Sequence, residues 1–216
     1  MIEQTHTDEN GQEKEAPAKM ETLEDKKSFG YYAKDYLFLV LIAGTIILLD
    51  QWTKGIVENN LAISESWMPV EWLAPYVRIV HWWNTGSAFG MFQSAGPILT
   101  GLAVVVGAII VLYFPQVSWQ DWPLKVAMSL QLGGAMGNLI DRLTIGHVTD
   151  FISVGTFPVF NIADSSISIG VAVLVIGVWI SEQREKKEAA EQALAARLDN
   201  VIDETELDAE RDALDE

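Results

Sequence analysis

Four stretches of this chain, at residues 36–57, 97–114, 122–143 and 162–181, are apolar over the length of a helix and bounded by polar, proline or aromatic positions. A run of about twenty apolar residues matches the hydrocarbon core of a bilayer, so the pattern predicts four spanning helices. Pro97 suits the first turn of its helix, where a missing N–H removes no hydrogen bond. Pro115 and Pro123 bracket a short connection. Between the first two spans, Tyr76-Val77-Arg78-Ile79-Val80-His81-Trp82-Trp83 is β-branched and aromatic and predicts a strand. Asn84-Thr85-Gly86 then signals a turn. The expected fold is an all-α membrane protein: a four-transmembrane-helix bundle with a small extracytoplasmic β-rich platform between helices 1 and 2.

Charge sharpens the division into segments. The net charge is −16, but residues 1–35 hold nine acids and five bases and residues 181–216 hold thirteen acids and five bases. The stretch between them holds only eight acids and four bases. This predicts an acidic cytoplasmic N-terminal tail at 1–35, a four-span domain at 36–181 and an acidic cytoplasmic C-terminal tail at 182–216. The last of these reads as a surface helix or a partly disordered tail. All eight tryptophans lie at or near predicted span ends or in loops, the distribution of an aromatic belt.

Lys26, Lys27 and Lys34 precede the first span, and Arg184, Lys186 and Lys187 follow the fourth. With an even number of spans, the positive-inside rule makes both termini cytoplasmic. Lys125 opens the third span from the same side. Some 35 polar residues before the first apolar run do not resemble a signal peptide. The absence of cysteine excludes disulfides, thiol catalysis and Cys-ligated metals. His6, His81 and His147 form no HExxH helix, so a zincin is not expected.

The chemistry concentrates at Asp150 and Asp164, two acids in apolar segments joined by a loop too short to cross a membrane. An ionisable group at membrane depth costs several kcal/mol and marks a functional position. Two close carboxylates share a proton, which supplies a general base and a general acid around one water. Asp164 falls in the first turn of the fourth helix, where free N–H groups and the helix dipole favour an anion. Asp150 sits in an apolar strand or loop and is expected to hold the proton. Asp50 and Lys54 share a face of the first helix and form an ion couple on one reading. Gly134, Asn138 and Arg142 share a face of the third, where small residues permit close helix approach. Arg142 could pair with either aspartate. A serine hydrolase built on Ser165, Ser166 and His147 is disfavoured by the absence of GxSxG. A proton-coupled carrier would distribute acids through membrane depth, whereas these gather at one side.

Four blocks carry a closer likeness. They are Asp50-Gln51-Trp52-Thr53-Lys54; Asn84-Thr85-Gly86-Ser87-Ala88-Phe89-Gly90; Gly133-Gly134-Ala135-Met136-Gly137-Asn138-Leu139-Ile140-Asp141-Arg142; and Val148-Thr149-Asp150-Phe151 with Phe160-Asn161-Ile162-Ala163-Asp164-Ser165. In this order, on four spans, they resemble the lipoprotein signal peptidases (signal peptidase II), aspartyl intramembrane enzymes of bacteria. The resemblance covers about residues 36–180. It implies a catalytic dyad of Asp150 and Asp164, with Asn138, Arg142 and Asn161 lining the site and Asp50, Lys54, Asn84 and Gly86 in its outer rim. The implied substrates are diacylglyceryl-modified prolipoproteins, cut just before the lipidated lipobox cysteine. Membrane lipids and the inhibitor globomycin are the other implied partners; neither nucleic acid nor a metal or organic cofactor is expected. The implied location is the bacterial cytoplasmic membrane, with the site on its outer side. Ser87 and Thr149 depart from the family's common alanine and valine.

Overall fold

The computed structural model describes residues 29–86 and 96–214, with side chains over 32–86 and 96–198. Lys26, Lys27 and residues 87–90 of the second motif block lie outside the described residues. In chain order the elements are α1 (Phe29–Asn60), β1 (Ser66–Trp67), β2 (Val77–Asn84), α2 (Gly96–Tyr113), α3 (Trp122–Thr144), β3 (Val148–Val154) and α4 (Ile162–Leu214).

Three helical stretches are long and apolar enough to cross a membrane by length and composition: Tyr32–Asn60, Gly96–Gln116 and Ile162–Leu198. The protein is an integral membrane protein. Seven of the eight tryptophans are at least half exposed, and leucines, isoleucines and valines cover the outer faces of α1, α2 and α4. Such a surface is stable in lipid and not in water. α3, which carries Lys125, Asp141 and Arg142, packs against all three of these helices.

Close approach is built into α3. A Cβ on Gly134 would collide with Ala163 O and Ser166 Oγ, so only glycine lets α4 lie this near. On the α1 side, a Cβ on Gly133 would come within 2.8 Å of Ile46 Cβ. α3 stops where Gly146 adopts φ +81°, a left-handed conformation that suits glycine. Ile145 and Gly146 N–H both return to Asp141 O. The turn sends the chain directly into β3.

The β-rich platform is larger than the sequence implied. β1, β2 and β3 form one antiparallel sheet in that order, so the segment after helix 3 joins the segment between helices 1 and 2. Register shifts by one residue between Ile79↔Ile152 and Trp82↔Asp150, a bulge in β2 that re-aims its end.

Two further expectations change. α4 starts at Ile162 as read but continues past residue 181 to Leu214. Its Ala-, Glu- and Lys-rich continuation has high helix propensity, with i,i+4 pairs such as Lys187–Glu191 along it. The predicted tail at 1–35 gives way at its end to α1, which starts at Phe29, and Asp35 is buried against Lys125. The Lys125 Nζ lies 2.9 Å from Asp35 Oδ1 and 3.1 Å from Phe114 O, beside the Leu39–Ile110–Phe114 core. This pair closes the end of the bundle opposite the sheet.

Candidate active site

The start of α4 organises the site. Asn161 precedes the helix, and its Oδ1 accepts from Asp164 N at 2.8 Å. Asp164 Oδ2 accepts from Asn161 N at 3.3 Å in return. This is a reciprocal capping box, which satisfies helix-terminal N–H groups and locks the first turn. Asp50, reaching across from α1, accepts from Ala163 N at 2.9 Å. The Asp164 carboxylate is therefore held in a preset direction by the backbone N–H of Asn161.

Asp150 reaches the same place from β3. Its Oδ1 accepts from Asn161 Nδ2 at 2.8 Å and its Oδ2 from Asn84 Nδ2 at 2.9 Å. Asn84 stands diagonally across the β2–β3 ladder, on the same face as Asp150. Its own Oδ1 accepts from Gly86 N at 3.0 Å, which ties the turn after β2 to the site. Asp150 is almost fully buried. Burial, and then the nearby charge of Asp164, push its carboxyl up to about 7.

Asn138 links the parts. Its Nδ2 donates to Asp164 Oδ1 at 2.7 Å, and its Oδ1 accepts from Lys54 Nζ and Asn161 Nδ2, each at 3.0 Å. Lys54 also contacts Asp50 at 2.7 Å and Asp141 at 2.8 Å. Asp50 and Lys54 are thus an ion couple as one reading held, but they do not stand in an outer rim. Both are buried, behind the aspartates. Arg142 forms no ion pair within 4.0 Å of either aspartate among the described residues; its Nη1 donates to Asn138 O at 3.4 Å.

Asn84, Gly86, Asn138, Arg142 and Asp164 line a cavity of about 750 Å³ walled by α2, α3, α4 and residues 157–160. Leu99, Leu102, Val106 and Ile167 make most of its surface apolar. Leu102 and Ile169 on its wall are more than half exposed, so it opens between helices. Asp150 and Asn161 lie just behind the lining. Ser165 and Ser166 spend their hydroxyls on the carbonyls of Asn161 and Ala163, and His147 packs on Trp83.

Sequence reading passed over Asp141. Its Oδ2 accepts from Thr149 N at 3.2 Å as well as meeting Lys54, and its Oδ1 accepts from Gln51 Nε2 at 2.7 Å. The available signal was its position four residues after Gly137, on the face turned to Asp50. The capping box was equally legible, as Asn161-x-x-Asp164 at the mouth of an apolar run.

The architecture has close relatives. The family model described as Signal peptidase (SPase) II matches residues 42–180. A lipoprotein signal peptidase of Acinetobacter baylyi is 38% identical over 179 residues, covering 79% of this chain and 97% of that one. One from Syntrophus aciditrophicus is 36% identical over 162 residues, covering 71% and 98%. A bacterial membrane enzyme solved by the in meso method at 2.3 Å superposes with a TM-score of 0.62 at 31% identity, covering 68% of this chain and 90% of that one. With its paired aspartates at the sheet end of a helical membrane bundle, the chain belongs to the signal peptidase II family.

Proposed function

We propose that this protein removes the signal peptide from diacylglyceryl-modified prolipoproteins, using Asp150 and Asp164 as its catalytic pair and cutting just before the lipidated cysteine. The observation that carries the reading is the convergence of two carboxylates from different elements on Asn161, which donates to Asp150 through Nδ2 and to Asp164 through its backbone N–H, beside a largely apolar cavity. Hydrolysis within a membrane needs a water, a base to activate it and an acid for the leaving amine. Asp164 takes a proton from the water as it attacks the scissile carbonyl. Asp150 gives its proton to the amide nitrogen as the C–N bond breaks. Asn138, Asn161 and Asn84 keep both carboxyls aimed, and Arg142 on the cavity wall supports the developing oxyanion or the extended backbone. The acyl chains of the substrate occupy the apolar cavity between α2 and α4. Globomycin, an inhibitor of this family, would compete for the same space.

α3 acts as a fourth span in this reading. At about 1.5 Å per residue its 23 residues reach across a hydrocarbon core, and Lys125 and Asp141 are neutralised inside the bundle by Asp35 and Lys54. Four spans with Lys34 and Arg184 at one end support, by the positive-inside rule, an orientation with both termini in the cytoplasm and the aspartates at the outer side of the cytoplasmic membrane. Residues 1–25 and 190–216 stand outside the catalytic unit in this reading, whereas Asp35 belongs to the bundle through Lys125.

The direct test compares a lipid-modified prolipoprotein with the same polypeptide lacking the diacylglyceryl group. Cleavage of the first and not the second is expected; equal cleavage would remove lipid recognition from the proposal. A pH dependence also follows. With Asp150 raised to about 7, the acid is present below neutrality and lost above it, so kcat/KM should fall as pH rises through about 7. The protonated-carboxyl infrared band should fade over the same range and be missing in Asp150→Asn. A band that survives in that variant and vanishes in Asp164→Asn would reverse the two roles. Because the groups interact, the profile reports the pair.

A further inference from the structure

Thr149, the residue before Asp150, is wholly buried, and each of its three polar groups is committed to a different helix or its lead-in. Its N–H donates to Asp141 Oδ2 on α3 at 3.2 Å. Its hydroxyl donates to Glu58 Oε1, near the end of α1, at 2.5 Å. Its carbonyl accepts from Asn161 Nδ2, at the head of α4, at 3.4 Å. β3 is an edge strand of the sheet, and its outer side is closed at Phe151 and Ile152 by Phe160 O, at 3.0 and 2.7 Å. At the level of Asp150 that edge has side-chain partners instead, and they meet at Thr149. Side chains alternate along a strand, so Thr149 points away from the face that carries Asp150 and grips the strand from behind.

We propose that Thr149 is a positioning residue for Asp150 and that its hydroxyl, bound to Glu58, tethers the aspartate-bearing strand to the end of α1. The proposal rests on the reading of Asp150 as one of the catalytic pair. The other two anchors act through groups that every residue has at this position, namely the backbone N–H and C=O. The Glu58 bond is the one that depends on the side chain. Loss of that bond leaves the strand attached but free to shift by fractions of an ångström, and proton transfer is sensitive to such shifts.

The test uses the full-length enzyme in detergent with a lipid-modified prolipoprotein. Thr149→Val keeps the volume and removes the hydroxyl; a net hydrogen bond of ordinary strength corresponds to a loss of about fivefold in kcat, with KM unchanged. Glu58→Ala should give the same loss, and the double variant should be no worse than either single one. Thr149→Ser, which keeps the hydroxyl, should restore most of the turnover. Thermal unfolding of each variant separates this from a structural role, which would lower Tm while the folded fraction turned over at the normal rate. Wild-type kcat in Thr149→Val or Glu58→Ala, or losses that multiply in the double variant, would overturn the tether. Asp150→Asn measured alongside distinguishes the levels: if it is inactive while the others are normal, only the tether fails. If it keeps its turnover, the catalytic reading fails and the tether with it.

Discussion

Asp150→Asn and Asp164→Asn should each lower cleavage of a diacylglyceryl-modified prolipoprotein by about 10³-fold or more, the scale of general acid–base catalysis. An amide keeps the shape of the carboxylate but cannot take or give the proton. The substitution has a small structural cost as well. Asp150 accepts at both oxygens, from Asn161 and Asn84, and an asparagine there turns one N–H₂ group toward a donor. Asp164 likewise accepts from Asn138 and from Asn161 N–H. A mismatched buried donor costs about 1–3 kcal/mol, so Tm should fall modestly while turnover disappears. Turnover should therefore be measured at a temperature where both variants are folded. Near-normal rates in either one would exclude the pair as the catalytic centre.

Lys54→Met should cause the largest loss of stability of any single change near the site. The lysine is buried and neutralises Asp50 and Asp141 at once, at 2.7 and 2.8 Å. Methionine fills the space but leaves two carboxylates inside the bundle with no cation. Removing one partner from a buried ion pair costs about 3–5 kcal/mol. Thermal unfolding in detergent should show this as a large drop in Tm. Adding Asp50→Asn to Lys54→Met should recover part of it, because one uncompensated charge is removed while an acceptor remains for Ala163 N–H. A Lys54→Met protein as stable as the parent would mean that water, not Lys54, satisfies these acids. Activity should fall too, since Lys54 also holds Asn138, which donates to Asp164.

The positions of the helices and of the second strand were legible along the chain because each is a local signal. Apolar runs mark α1, α2 and α3 to within a few residues except at the start of α1, and β-branched and aromatic density marks β2. The start of α4 was equally local, since Asn161 and Asp164 cap the helix they begin. Its far end was not, because the change from apolar to charged residues marks the edge of a membrane segment and not the end of a helix.

What distinguishes the site came from distant pairings. Asp150 belongs to a sheet because β3 pairs with β2, some 66 residues away at the Asn84 contact, and no periodicity within residues 148–154 identifies that partner. Lys54 was readable as a neighbour of Asp50 one turn earlier, while its bonds to Asn138 and Asp141 depend on how close α1 lies to α3. The glycines at 133 and 137 set that closeness. Sequence by itself determined which residues can form helices, which can carry charge and which motif they make together. Only the tertiary structure decided that Asp50, Lys54 and Asp141 lie behind the two aspartates instead of around them, because buried charges settle where their partners are, and those partners come from other parts of the chain.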